Sequence, residues 1–360
     1  MVELAQLQGM QGRSFLKEID YTPAEMHALV DLSIELKAEL EAQKDGGPVV
    51  TKYLHDKSII LLFAKTSTRT RLSFEIGGDE LGANTVYIDP TSSQFGKKES
   101  VADSARVFAG MADGIEYRGF AQADMELMAK HAIDSKGRHK PVWNGLTDEW
   151  HPTQMIADFM TVKEEFGHLG NDITLAFVGD GRNNMANSLL VTGSMLGVNV
   201  HIVAPADLQP TQEVQDIAKK YAAESGAKPM VTADLDEGVA DANIIYNDVF
   251  VSMGETNWEE RLTQLVPYQV NMPLLKKSKH FGKDLITMNC LPAFHDLNTS
   301  VAQDVHEKYP NLVGTDGIEI TDEVFEGPQA RHFQEAENRK HSIKAIMVAT
   351  LGDLSLYPKQ

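Results

Sequence analysis

The sequence predicts an α/β protein built from two doubly wound parallel-sheet domains. Three observations lead there. Short β-branched or apolar runs alternate with longer helical patterns, the rhythm of βαβ units whose parallel sheets are covered by helices. The chain has 360 residues, and at roughly 150 residues per domain that suggests about two domains. Its apolar share of 42% is ordinary for a globular chain and supplies enough material for two cores.

The elements follow in order. Ser58–Phe63 is the first strand candidate and, with Ala64, the longest clean apolar run. It leads into Ser67-Thr-Arg-Thr-Arg71 and a helical pattern. Thr85–Ile88 reads as a strand, Ser100–Met111 as a helix and Gly114–Tyr117 as a strand. The set closes at Pro141-Val-Trp-Asn144, and a long helix, Thr153–Phe166, starts after His151-Pro152. Proline suits a helix start because its missing N–H would be unpaired there anyway. Strands Ile173–Val178, Val198–Val203, Ala242–Asn247 and Leu285–Asn289 then alternate with helices such as Met185–Leu196 and Thr211–Ser225. The last helix, Glu335–Leu351, reads as amphipathic, with Ala336, Ile343, Ile346, Met347 and Thr350 on one side. The expected domains are 1–150 and 151–330, with the helix at about 335–351 packing back on the first. The expected active site is the cleft between them, where pockets in such proteins usually lie.

Composition narrows the function. Thirty-three basic residues against 52 acidic ones give a net charge of −19. Such a surface repels nucleic acid and anionic lipid, so an anionic small substrate would need a local cluster of positive groups. Cys290 is the only cysteine. It forms no intramolecular disulfide and no zinc ribbon, which points to a reducing, cytoplasmic setting. No segment approaches the ~18 apolar residues of a membrane span, and Met1-Val-Glu-Leu-Ala-Gln lacks the basic flank and apolar stretch of a signal peptide.

The most informative segment is Phe63-Ala-Lys-Thr-Ser-Thr-Arg-Thr-Arg-Leu-Ser-Phe-Glu75. A strand running into hydroxyls and guanidinium groups at a helix N-terminus is the combination that holds a phosphate dianion. Val178-Gly-Asp-Gly181 reads as a tight strand-to-helix turn; without a complete GxGxxG, a dinucleotide site has little support.

Ser67-Thr-Arg-Thr-Arg71 resembles the carbamoyl-phosphate signature of the aspartate and ornithine carbamoyltransferases. Further segments occur in that family's order: Glu116-Tyr-Arg-Gly119, His151-Pro-Thr-Gln154, Asp180-Gly-Arg-Asn-Asn-Met-Ala-Asn-Ser188, Asp248-Val-Phe-Val-Ser-Met-Gly254, Cys290-Leu-Pro-Ala-Phe-His-Asp296 and Glu335-Ala-Glu-Asn-Arg339. Together they cover about residues 13 to 352. The Ser-Met-Gly and Arg-Asn-Asn-Met segments are similar to the ornithine branch. The resemblance implies transfer of the carbamoyl group from carbamoyl phosphate to the δ-amine of L-ornithine, giving L-citrulline and phosphate.

The resemblance also implies residue roles. Ser67, Thr68, Arg69 and Thr70 would bind the phosphate, while Arg118 and His151 would polarise the carbonyl. Gln154 would contact the carbamoyl amide, Leu291 would lend its carbonyl, and Arg339 would close the carbamoyl-phosphate site. Asn184, Asp248, Ser252 and Met253 would meet ornithine, and Cys290 would sit beside the attacking amine. Gln94 would reach the neighbouring subunit's site, which implies a homotrimer or an assembly of trimers. No metal or organic cofactor is expected. Three positions depart from the family pattern: Ala64 for a glutamate, Asn289 for a histidine and Gln334 for an acidic residue. Two rival readings are a carbamoyltransferase for another amine such as putrescine, and a weakened paralogue that binds carbamoyl phosphate and regulates a partner.

Overall fold

A computed structural model describes residues 2–89, 95–252 and 254–358. Its strands form two sheets. Strands β1 (Ser58–Phe63), β2 (Asn84–Ile88), β3 (Gly114–Arg118) and β4 (Val142–Leu146) make the first, in the order β2-β1-β3-β4. Strands β5 (Thr174–Val178), β6 (Asn199–Val203), β7 (Met230–Thr232), β8 (Ile244–Asn247) and β9 (Ile286–Asn289) make the second, in the order β7-β6-β5-β8-β9. Every strand pairing is parallel. Both sheets start on an inner strand and wind outward in both directions, so the doubly wound α/β class expected from the sequence is the one observed. In such sheets ligands bind outside the carboxyl ends of the strands, where the winding reverses. Residues just past β1 and β3, and past β5, β8 and β9, are therefore the ones placed for chemistry.

Two strands escape the sequence pattern. Strand β4 is not among the strand candidates, since Pro141-Val-Trp-Asn144 reads only as the close of the first set, yet its first four residues are buried. Tertiary pairing decides it: Phe15 bridges to Trp143 on the outer side of β4. Strand β7 is three half-buried residues at a sheet edge, too short to show a period.

The chain divides into two compact units, residues 1–165 with 337–360 and residues 166–336. The break falls at Glu165–Phe166 rather than near residue 150. The reason is the Pro152–Phe166 helix, buried from Pro152 through Val162. Thr153 Oγ1 donates to the Asn144 carbonyl at 3.0 Å and Thr161 Oγ1 accepts from Asn338 at 2.9 Å, both within the first unit.

The His332–Leu351 helix also differs from expectation. It is buried on all sides from His341 through Thr350 instead of presenting one apolar stripe. Several of its polar groups are matched individually within the first unit. Lys340 and Lys344 pair with Glu80 at 2.7 and 2.9 Å, and Thr350 accepts from Trp143 Nε1 at 2.9 Å.

Two buried histidines make stability pH-dependent. His332 and His341 are fully buried, and none of their ring nitrogens has a hydrogen-bond partner among the described residues. Burial, reinforced by His295, lowers His332 from an ordinary 6.5 to about 4. Burial, reinforced by Lys344, Lys340, Lys37 and Lys44, lowers His341 to about 3. Unfolded, both take up a proton near 6.5; folded, neither does until well below pH 5. The unfolded state binds more protons through that window, so stability falls as pH falls. Each histidine contributes a slope approaching about 1.4 kcal/mol per pH unit below pH 6. Urea unfolding at pH 7, 6 and 5 should show this decline, and His341→Leu should remove about one proton's share of the slope. Equal slopes in the two proteins would contradict it.

Candidate active site

The first cluster lies at the carboxyl ends of β1 and β3. Ser67 has extended backbone and caps the Thr68–Glu80 helix, its Oγ accepting from the Thr70 N–H at 3.3 Å. A side-chain cap of this kind is worth about 1 kcal/mol and fixes where the helix starts. The first-turn N–H groups and Arg69 therefore sit at the positive end of a helix directly after an apolar strand. Arg71 is engaged elsewhere: it pairs with Glu75 at 2.9 Å and stacks over Tyr87 at 3.8 Å. Lys65, buried, pairs with Asp148 and lies 4.4 Å from the Phe120 ring.

Thr70, Arg118, His151, Gln154 and Arg339 are all buried and belong to the first unit. Arg339 joins most of them. It donates to Gln154 Oε1, to Thr70 Oγ1 at 3.4 Å and toward His151 Nε2 at 3.4 Å. Gln154 Nε2 donates to Asp158 at 2.7 Å, which fixes the amide's orientation. Arg118 donates to the Gly145 carbonyl at 3.3 Å. Burial holds the His151 pKa well below its ordinary value, and the charges of Arg339, Arg118 and Arg69 add to the effect. The ring is thus neutral at pH 7. An arginine has only donors, so Nε2 accepts and the ring proton sits on Nδ1.

The second cluster lies past β5, β8 and β9, in the second unit. Asn183 caps the Asn184–Leu196 helix and donates to Asp248 Oδ2 at 3.1 Å. Cys290 Sγ is 3.4 Å from Asp248 Oδ1, which also accepts from the Val249 N–H at 2.8 Å. Asn184 and Ser252 are half-buried. Ser252 donates its N–H to Glu255 at 2.8 Å; Glu255 is 3.6 Å from Arg261, which pairs with buried Asp180. Leu291 has a φ of +53°, a left-handed conformation that costs a non-glycine residue about 1–3 kcal/mol. The Asn289 side-chain oxygen Oδ1 holds it there, accepting from the Leu291 N–H at 2.7 Å.

The positions anticipated from the sequence therefore separate cleanly. Ser67, Thr68, Arg69, Thr70, Arg118, His151, Gln154 and Arg339 lie in the first unit, and Asn184, Asp248, Ser252, Cys290 and Leu291 in the second. Gln94 and Met253 lie outside the described residues. Among the described residues one group has metal-ligand spacing, His295, Asp296 and Asp322, within 4.8 Å of one another. His295 is already committed to Asp322 at 2.7 Å and to the Phe325 ring at 3.8 Å, an ordinary histidine–carboxylate pair.

Family descriptions match both halves of the chain: "Aspartate/ornithine carbamoyltransferase, carbamoyl-P binding domain" over residues 13–164, and "Aspartate/ornithine carbamoyltransferase, Asp/Orn binding domain" over residues 171–350. The chain belongs to the aspartate/ornithine carbamoyltransferase family. Among carbamoyltransferases, the "Ornithine carbamoyltransferase, catabolic" of Lactococcus lactis subsp. lactis (strain IL1403) is 57% identical over 345 residues, covering 96% of this chain and 93% of that protein. The protein of the same description from Enterococcus faecalis is 56% identical over 345 residues, covering 96% of this chain and 97% of that one. The solved ornithine carbamoyltransferase of Pyrococcus furiosus has a TM-score of 0.82 at 35% identity, covering 95% of this chain and 98% of that one.

Against this carbamoyltransferase background, two departures have local explanations. Ala64 meets Arg118 through its backbone, N–H to carbonyl at 2.8 Å, a contact any side chain permits. Asn289 is buried and uses its amide twice, toward Leu291 and toward Asn247 Oδ1 at 3.2 Å. Residues missed from the sequence are those that hold the anticipated ones: Asn183, Glu255, Arg261, and Glu335, which accepts from Tyr246 at 2.8 Å and from the Asn289 N–H at 3.1 Å. Asn183 and Glu335 stand inside the quoted motifs and Glu255 directly follows one, while Arg261 carries no sequence signal. Asn289→Ala removes the Oδ1 acceptor of the half-buried Leu291 N–H and a donor to buried Asn247, and a lost buried hydrogen bond costs about 1–3 kcal/mol. A lower urea midpoint with an unchanged m-value is the expected result.

Proposed function

We propose that this chain is an ornithine carbamoyltransferase, moving the carbamoyl group between carbamoyl phosphate and the δ-amine of L-ornithine to make L-citrulline and phosphate. The observation that carries the reading is the convergence of Arg339 on Gln154, Thr70 and His151, beside a helix N-terminus capped by Ser67. In this reading the phosphate dianion rests on Ser67, Thr68, Arg69, Thr70, Arg118 and Arg339. The carbonyl oxygen takes donors from Arg118 and the neutral His151, and Gln154 and the Leu291 carbonyl receive the carbamoyl amide.

The deprotonated δ-amine attacks the carbonyl carbon, and the electrons of the C=O bond move onto oxygen. The tetrahedral oxyanion then collapses and expels phosphate with the bonding pair. Donors aimed at that oxyanion beforehand lower the barrier by a few kcal/mol each. Asp248 and Cys290 position the amine and help accept its proton, Asp248 balances the α-ammonium, and Asn184, Ser252 and Met253 meet the amino-acid end. An acyl phosphate carries its own leaving group, so the chemistry calls for no metal or organic cofactor.

The L. lactis and E. faecalis relatives are described as catabolic, which supports use of this enzyme in the citrulline-cleaving direction of arginine metabolism, in the cytoplasm. No helix of the described residues is long and apolar enough to cross a membrane. A homotrimer or assembly of trimers is part of the same reading, with Gln94 serving a neighbouring subunit. Leu72, Ile76 and Val86, 45–48% exposed on the first unit, are apolar area that association would cover.

Citrulline formation from carbamoyl phosphate with ornithine, putrescine and aspartate in parallel tests the assignment. Turnover with ornithine alone is expected, and turnover with putrescine instead would overturn the acceptor. His151→Phe should lower kcat by about 10²-fold, the typical loss for one oxyanion donor. Because His151 is held neutral, no limb in the kcat profile should titrate near 6.5. Rate should instead rise with pH as the amine, with an ordinary pKa around 10, deprotonates.

A further inference from the structure

Strand β3 places Glu116 and Arg118 two residues apart, on one face of the first sheet. The Glu116 side chain is fully buried, and both carboxyl oxygens are without a hydrogen-bond partner among the described residues. A buried carboxyl in that condition is costly, and an apolar side chain would fill the same volume without the cost. The groups whose charges act on it are Arg118 and Arg339, the two buried guanidiniums of the first cluster.

The neighbouring strand makes room for it. Register between β3 and β4 jumps between Tyr117↔Asn144 and Arg118↔Leu146, so Gly145 is the extra residue of a β-bulge. Bulges beside active sites re-aim side chains. Here the Gly145 carbonyl turns to accept from Arg118 Nη1 at 3.3 Å. Its α-carbon faces the carboxyl: a Cβ at Gly145 would lie 1.9 Å from Glu116 Oε1 and 3.2 Å from Arg118 Cβ. The glutamate and the bulge can occupy this space together only if residue 145 is glycine.

We infer that Glu116 and the Gly145 bulge are a positioning pair for the carbamoyl-phosphate half-site, holding Arg118 and Arg339 in the arrangement that receives the substrate. The inference rests on the carbamoyl-transfer reading above. Glu116 touches neither reacting atom. It sets an acceptor-bearing side chain in the field of both guanidiniums, while the bulge carbonyl anchors Arg118.

Steady-state kinetics of Glu116→Ala, Glu116→Gln, Gly145→Ala and the Glu116→Ala/Gly145→Ala double variant test this, alongside binding of inorganic phosphate and thermal melting. Glu116→Ala should raise KM for carbamoyl phosphate by about tenfold while KM for ornithine stays within about twofold, a split that simple loss of packing does not produce. Glu116→Gln keeps the shape and an acceptor oxygen and should recover most of that loss. Gly145→Ala should lower kcat/KM by about 10²-fold, the scale of a misplaced catalytic group. The double variant should then regain at least about fivefold over Gly145→Ala, because the added methyl enters the vacated space. If Gly145→Ala fails to fold, restored folding in the double variant reads the same coupling. An unchanged KM for carbamoyl phosphate in folded Glu116→Ala, or strictly additive losses, would overturn the inference. A wild-type protein without carbamoyl transfer would overturn the functional reading instead; phosphate binding by the same variants would still decide the pairing.

Discussion

Burying positive charge around a single imidazole is the constraint on which the first unit depends. Arg118 and Arg339 are buried and Arg69 half-buried, and all three act on His151. Two like charges about 4 Å apart repel by about 4 kcal/mol even at an effective dielectric near 20. Such an arrangement persists only if every guanidinium is held by rigid acceptors. The Gly145 carbonyl, Gln154 and Thr70 supply them. The helix carrying Arg339 is in turn anchored by Lys340 and Lys344 on Glu80 and by Asn338 on Thr161. The long-range bonds of the C-terminal helix thus help to hold Arg339 in the first cluster, although none of them touches it.

The same field sets the chemistry. An imidazole surrounded by cations and shielded from water stays neutral, so it adds no charge to a cluster already rich in it. In the second unit the electrostatics run the other way. Asp248 gathers Asn183, the Val249 N–H and Cys290. Glu319, buried nearby, is pushed up to about 8 by burial first, with the Asp248 charge adding. Glu319 therefore stays protonated at pH 7 and adds no charge beside Asp248.

Backbone strain in the second unit falls at Leu291, next to Cys290. The left-handed Leu291 backbone is held by Asn289, whose own N–H is held by Glu335, a residue of the 332–351 helix. Asn289 stands where the family usually has histidine, and its amide makes two side-chain bonds in a fully buried position. The substitution therefore has a structural employment here, in a network that also includes Asn247 and the Glu319 carbonyl.

Much of this was legible in the residues. The Ser58–Phe63 run, the hydroxyl and arginine cluster behind it, and the strand–helix rhythm of residues 173–289 all depend on local chemistry: β-branched runs, capping side chains and turn glycines act over a few residues. For the same reason the sequence determined the α/β class and the residues able to bind an anion. Only the tertiary structure decided the rest. The buried β4 strand behind an Asn-Gly pair, the C-terminal helix buried on every side, and the space Gly145 leaves for Glu116 arise between residues far apart in the chain. Burial, register and close approach are properties of packed neighbours, and a linear pattern carries no record of which neighbours they will be.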